Sequence, residues 1–561
     1  MKRYEPDQIR NVALLGHGGA GKTSLVEAFA FASGATTRLG RIEEGNTLSD
    51  YDPEEVKRRI SINATLVPCE WNQCKINFLD TPGYFDFIGE VHSALRAADS
   101  ALVVVSAVAG VEVGTEKAMA LCDEYQVPRM MIINKLDREN ANFAKTLGQL
   151  RDLFGPQVVP ITVPLGSAET FRGIGDLLTL RAYTGEWGKE QEEDLPADLG
   201  AEAASWREMM VEAVASTDDD LLAKYLEGEA LSPEEIAAAL AKGVQAGKVI
   251  PVLCASAAKL SALGRLLHFI TALLPAPTAR GAVEGRGRAG EKVSLEPKPD
   301  APPCALIFKT TADPYVGRIT MFRVYSGTLR GESMIYNATR EKEERLGQLF
   351  CLRGKEQIPV PEVVAGDIGG VAKLQESATG DTLCEKSHPI KLPAPVFPTP
   401  TLTMAVTPRS KADEDKIGTG LARLVEEDPT LRIEKNTETG QLLLSGQGEL
   451  HLEVVTSRLQ KKFGIEVDLS PPLVPYRETI RGHAKAEGKH KKQTGGRGQY
   501  GHVWLELEPL PPGGGFEFVD KIFGGVVPKQ YIPAVEKGVR ETMAEGVLAG
   551  YPVVDVRVTL Y

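Results

Sequence analysis

Residues 16–24 read GHGGAGKTS and follow the apolar run Val12–Leu15. Gly16, Gly21, Lys22 and Thr23 fill the pattern G-x-x-x-x-G-K-[ST]. A loop of this kind cradles phosphates, because the backbone N–H groups of Gly16, His17, Gly18, Gly19, Ala20 and Gly21 can turn inward. A helix-like stretch opens at Ser24 and would bring its positive end to the same anion. Lys22 suits the β- and γ-phosphates, and the Thr23 hydroxyl suits Mg²⁺.

Three further pieces each close an apolar, strand-like run. Asn134-Lys135-Leu136-Asp137 follows Met130–Ile133. A carboxylate at Asp137 can accept from both the ring N1–H and the exocyclic amine of guanine, whereas adenine would leave the charge unpaired. Asp80-Thr81-Pro82-Gly83 follows Ile76–Leu79; Asp80 would hold Mg²⁺ through water, and the Gly83 N–H can sense a γ-phosphate. Ser256 and Ala257 follow Val249–Leu253 and suit a backbone contact to guanine. The four pieces together predict a GTP/GDP site with Mg²⁺.

These loops need elements to hold them. Strand and helix patterns alternate from residue 10 to about 275, the signature of a parallel sheet covered by helices. An insertion of about 155–250 interrupts them; its Glu- and Ala-rich part, 185–245, predicts a helical appendage, with a capping box and an N1 proline at Ser232-Pro233-Glu234-Glu235. A Gly/Pro/charged linker at 278–303 precedes short β-rich runs to about Leu392, as in a small β-barrel. Beyond a second linker, Thr401–Val406 and Gln441–Ser445 predict strands. Ile417, Leu421, Leu424 and Val425 mark one helix face; Leu452, Val455, Leu459 and Phe463 mark another, stopped by Gly464. A further α+β unit begins near Val474. It carries Lys489, Lys491, Lys492 and Arg497 among glycines, read either as a solvated hairpin loop or as a phosphate contact with RNA.

Composition narrows the setting. At 561 residues several domains are expected, and 42% apolar content allows buried cores. No stretch of 18 apolar residues predicts a membrane span, and the N-terminus has no apolar signal core. Seven scattered cysteines predict free thiols in a reducing cytoplasm. The net charge of −12 argues against non-specific coating of nucleic acid, though not against a local basic patch.

GHGGAGKTS, DTPGYFDF, NKLD, SGQGELHLEV at 445–454 and QTGGRGQYGHVW at 493–504 together resemble elongation factor G, the translational GTPase family that moves transfer and messenger RNA through the ribosome. The resemblance implies a G domain over 1–280, a β-barrel second domain over 300–392, a ferredoxin-like α+β third domain over 398–472 and a ribosomal-protein-like fourth domain over 473–561. It also implies a monomer whose partners are the ribosome (rRNA and ribosomal proteins) and tRNA–mRNA, with no membrane.

The sequence departs from the family pattern in three places. Tyr84 stands where the family has a water-positioning His, and a phenol of pKa near 10 accepts a proton poorly at pH 7. The first switch, usually R-G-I-T-I, reads Arg58-Arg59-Ile60-Ser61-Ile62, so Ser61 supplies the Mg²⁺ hydroxyl and Arg59 replaces Gly. The sequence stops at Tyr561, which predicts an incomplete fourth domain and no fifth. These departures are more like an elongation-factor-G-like paralogue than the main translocase. The leading expectation is a ribosome-stimulated GTPase with Tyr84, Gly83 and Lys22 as its catalytic groups. The alternative is a GTP-dependent ribosome-binding or ribosomal protection module with weak hydrolysis.

Overall fold

The computed structural model describes residues 2–196, 199–313, 317–493, 495–496 and 498–561. Its N-terminal sheet is built from apolar runs that bury both faces, as parallel strands do. In chain order the elements are β1 (Ile9–Leu15), α1 (Lys22–Ala32), α2 (Pro53–Arg58), β2 (Thr65–Trp71), β3 (Cys74–Asp80), α3 (Ile88–Ala97), β4 (Ser100–Ser106), α4 (Val113–Glu124), β5 (Arg129–Asn134), α5 (Phe143–Phe154) and β6 (Val158–Pro160). Then come α6 (Gly200–Ala215), α7 (Asp219–Leu226), α8 (Pro233–Gln245), β7 (Ile250–Cys254) and α9 (Leu263–Leu273). The strands lie in the order β2-β3-β1-β4-β5-β7-β6. β1 runs parallel to β3 and β4, β4 to β5, and β5 to β7, while β2 is antiparallel to β3. The loops that follow β1, β3, β5 and β7 therefore all leave one edge of the sheet, where open parallel sheets bind ligands. This brings together four motifs spread over 240 residues of sequence.

The insertion is only partly the expected helical appendage. Thr162–Leu165, Gly173–Asp176, Arg181–Thr184 and Gln191–Asp194 form a small antiparallel sheet, and the helices α6, α7 and α8 follow it. Strands of four residues are too short for a two-residue alternation to register. Helix α8 does start on the predicted capping box. The Glu235 N–H donates to Ser232 Oγ at 3.1 Å, and the Ser232 N–H donates to Glu235 Oε2 at 2.9 Å.

The chain divides into two compact units. The first comprises residues 1–403, 408–433 and 444–468. Besides the N-terminal domain it holds an eight-stranded β-rich domain and two helices, α10 (Lys411–Glu427) and α11 (Glu449–Phe463). Both helices bury most of the predicted face, Ile417, Leu421 and Leu424 on α10 and Leu452, Val455 and Leu459 on α11, while Val425 and Phe463 are only half-buried. Gly464 ends α11 in the left-handed region, at φ 68°.

A buried polar network joins the N-terminal sheet to the β-rich domain. Asn11 Nδ2 donates to Asp99 Oδ2 and to the Gly366 carbonyl, both at 2.7 Å. Asn77 Nδ2 reaches Asn11 Oδ1 at 2.8 Å and Asp367 Oδ1 at 2.9 Å. Lys75 Nζ lies 2.8 Å from both Asp367 oxygens, and Arg323 Nη2 lies 2.5 Å from Asp99 Oδ1. All seven cysteines are free thiols, and six are buried.

The second unit holds residues 404–407, 434–443 and 469–561. Ala484–Lys492 and Gln499–Pro509 form a hairpin that places Lys489 opposite His502 and Lys491 opposite Tyr500. Val556–Leu560 joins the hairpin and pairs in parallel with Phe516–Asp520. No helix among the described residues is long and apolar enough to cross a membrane.

Candidate functional site

The loop 16–21 turns tightly from β1 into α1. Gly21 is the N-cap of α1 at φ 99°, a conformation that L side chains rarely adopt, and a Cβ there would meet Asn134 Nδ2 at 2.4 Å. Gly19 is also at positive φ, and the Ala20 N–H closes a turn onto the His17 carbonyl. Ser24 follows within the first turn of α1. Lys22 is buried, and its ammonium donates to the carbonyls of Gly16 at 3.0 Å and His17 at 3.1 Å. Burial pulls its pKa down to about 8, against the attraction of Asp80 and Asp50. The ammonium is thus held inside its own loop.

Next to it is a cluster of buried oxygens. Thr23 Oγ1 lies 3.1 Å from Ser61 Oγ. Asp80 is 1% exposed and Asp50 5% exposed; none of their four carboxylate oxygens has a well-formed hydrogen bond among the described residues, with only the Ser61 hydroxyl facing Asp50 and the Thr23 and Ser49 hydroxyls facing Asp80. Burial, and then the charge of Asp80, push Asp50 up to about 8; burial also raises Asp80. Two buried carboxylates beside two hydroxyls form a donor set for a hard divalent cation with oxygen ligands. No cluster of three or more His, Cys, Asp or Glu able to hold a metal occurs among the described residues. A cation here would need the hydroxyls and the oxygens of a bound phosphate. The sequence pattern marked Thr23, Ser61 and Asp80 but missed Asp50, which sits in an irregular segment with no periodicity.

Ser61 is placed by α2, the helix before it. Asp52 caps α2 by accepting from the Glu54 N–H, and Arg59 ends it in the left-handed region at φ 57°. The Glu55 carboxylate accepts the N–H groups of Ile62 at 3.0 Å and Asn63 at 2.9 Å. Glu27 on α1 holds the preceding loop by accepting the N–H groups of Gly40 and Leu48. The same segment docks on α11: Arg458 reaches Asp52 at 2.8 Å, Ser457 reaches Glu54 at 2.7 Å, and Lys461 also pairs with Glu54.

The loop after β3 presses on the first loop. Thr81 Oγ1 donates to the Leu14 carbonyl at 2.5 Å. Pro82 follows, and a Cβ on Gly83 would lie 2.5 Å from Lys22 Nζ and 2.6 Å from the Gly18 nitrogen, so only glycine fits. Tyr84 follows at ordinary φ, 43% exposed, and its hydroxyl makes no hydrogen bond among the described residues. Two residues on, Asp86 Oδ1 accepts the backbone N–H of His451 on α11 at 3.2 Å.

On the other side of the loop, Asn134 Nδ2 donates to the Ala20 carbonyl at 3.1 Å, and Asn134 Oδ1 accepts the Ala257 N–H at 3.2 Å. Lys135 turns at φ 67° with its side chain near Gly21. Ser256 Oγ donates to Asp137 Oδ1 at 2.6 Å, which fixes one carboxylate oxygen, and the other lies 3.8 Å from Arg138 Nε. The sequence predicted a backbone contact from Ser256 and Ala257; the side-chain tether from Ser256 to Asp137 carried no local signal.

The loop of residues 16–21, the Asp80 carboxylate and the Asp137 carboxylate thus all lie at one sheet edge. Residues 7–276 match the family model of the elongation factor Tu GTP binding domain. Residues 302–386, 397–471 and 472–561 match elongation factor G domain 2, domain III and domain IV. The chain belongs to the elongation factor G family. A crystal structure of a Thermus thermophilus protein is similar over 99% of this chain and 81% of that one, with 40% identity and a TM-score of 0.84. Like other elongation factor G chains, it is a ribosome-associated translational GTPase that binds guanine nucleotide and hydrolyses GTP.

Proposed function

We propose that hydrolysis is performed by the cleft at the sheet edge with the roles below, within domains spanning 1–280, 300–392, 398–472 and 473–561. Asp137, tethered by Ser256, reads the guanine N1–H and amine. Asn134 ties the base side to the phosphate loop through Ala20 and Ala257. The N–H groups of 16–21 and the Lys22 ammonium balance the β- and γ-phosphates. Thr23, Ser61, Asp80 and the additional Asp50 would hold Mg²⁺, which when bound neutralises charge on the phosphates. Gly83 senses the γ-phosphate through its N–H. Tyr84 orients the attacking water without removing its proton, since a phenol is too weak a base for that at pH 7. Little covalent chemistry is asked of these groups; they position and neutralise.

The observation that carries this reading is the pair of buried carboxylates, Asp50 and Asp80, beside Thr23 and Ser61. A proton on Asp50 relieves the repulsion in such a pair, and a bound cation would take that proton's place. The basic hairpin of the fourth domain, with exposed Lys489, Lys491 and Lys492, would meet ribosomal RNA; Arg497, expected to act with them, lies outside the described residues. We place the factor in the cytoplasm as a monomer, acting on the tRNA–mRNA-bearing ribosome. The test is the GTP turnover rate with and without ribosomes, for the unmodified chain and Tyr84→Phe, at saturating GTP. Ribosome stimulation that falls about 10²-fold in Tyr84→Phe supports the reading. Turnover that ribosomes leave unchanged would point to a binding or protection module with weak hydrolysis.

A further inference from the structure

The Tyr84 ring touches the phosphate-binding loop at Gly18. A Cβ built on Gly18 would sit 3.0 Å from Tyr84 Cε2, 3.2 Å from Cζ and 3.3 Å from Cδ2. Gly16, Gly19 and Gly21 have positive φ, whereas Gly18 does not. Its backbone is open to any residue, so space alone accounts for its missing side chain. A methyl group there would push the ring back by a few tenths of an ångström. A β-branched side chain would fill the volume the ring occupies and turn it out. The backbone before the ring already lies close to Gly18, since a Cβ on Gly83 would meet the Gly18 nitrogen at 2.6 Å, so the ring itself must take up the displacement. With its hydroxyl unpartnered, the ring has this packing to fix it.

We propose that Gly18 is a positioning residue for hydrolysis. By leaving its side-chain volume to the Tyr84 ring, it sets where the phenol hydroxyl stands over the phosphate-binding loop, and hence how well that hydroxyl orients water. The proposal rests on the assignment of water orientation to Tyr84.

A double-mutant cycle on the full chain tests it, with ribosome-stimulated kcat read at saturating GTP so that affinity does not enter. Gly18→Val should lower kcat about as far as Tyr84→Phe, on the order of 10²-fold, and Gly18→Ala should lower it less. In the Tyr84→Phe background, Gly18→Val should cost little more, since the hydroxyl it displaces is already gone. Losses that multiply would overturn the proposal while leaving Tyr84 in its role. Full turnover in Tyr84→Phe would instead remove the role of Tyr84, and the proposal with it. Radical footprinting read by mass spectrometry gives a measure independent of rate. Tyr84 oxidation should rise in Gly18→Val, and unchanged oxidation would show that the ring does not depend on Gly18.

Discussion

Glu54 ties the segment that carries Ser61 to α11, and it is 1% exposed. Its carboxylate accepts from Ser457 Oγ at 2.7 Å, from Arg58 Nε at 3.1 Å and from Lys461 Nζ. Burial alone would raise its pKa; the bonds from Lys461, Ser457 and Arg58 outweigh burial and hold it down at about 2, against an ordinary 4.5. At about 1.4 kcal/mol per pH unit, that difference sets a ceiling of about 3 kcal/mol on what the charge contributes. Lys461 is 45% exposed and Arg58 21%, so water offsets part of the loss. About 1–2 kcal/mol remains. Glu54→Gln keeps the shape and removes the charge. The segment contains Lys57, Arg58 and Arg59, which trypsin can cut only when it opens. With a non-hydrolysable GTP analogue bound, cleavage of Glu54→Gln should be about 5–30 times faster, because cutting follows the open population when opening is fast. The contribution is fully present above about pH 4.5 and is lost as the pH falls toward 2, so the ratio of rates should be equal at pH 6 and pH 8. A cleavage rate equal to that of the unmodified protein would refute the clamp.

Arg59→Gly should relieve a left-handed arginine by about 1 kcal/mol net of the glycine's extra freedom, seen as stronger hydrogen-exchange protection of the Ile62 and Asn63 amides. Asp50→Asn should weaken Mg²⁺ binding to the GTP-loaded protein about 10-fold, measured by Mg²⁺ titration; unchanged affinity would take Asp50 out of the cation site. Asp137→Asn should shift preference toward xanthine nucleotides, checked by calorimetry with both bases. Replacing Lys489, Lys491 and Lys492 by Gln should weaken ribosome association and flatten its dependence on salt.

The loops at Gly16, Asp80, Asn134 and Ser256 were legible because each ends a buried apolar strand, and the strand leaves a pattern in the sequence. The faces of α10 and α11 were legible through the same periodicity. Asp50 was not, since it lies in an irregular loop with no periodic pattern; nor were Glu27 and Glu55, which accept backbone N–H groups that any residue provides. The docking of Asp52 and Glu54 on Arg458 and Lys461 joins residues about 400 positions apart. Nothing in either local stretch marks the other. The short strands of 162–194 hid for want of length.

The seam formed by Asn11, Asn77, Lys75, Asp99, Arg323 and Asp367 acts as a weld. Parting its ion pairs without full hydration would leave four charges uncompensated, costing on the order of several kcal/mol for each ion. Separating the nucleotide-binding domain from the β-rich domain is therefore costly. The contacts where Arg58 meets Glu453 and Lys461 meets Glu54 are cheaper to open, because Arg58, Glu453 and Lys461 are already partly wetted and only Glu54 is buried. A change at the γ-phosphate that releases Ser61 would leave the weld intact and swing the load on α11.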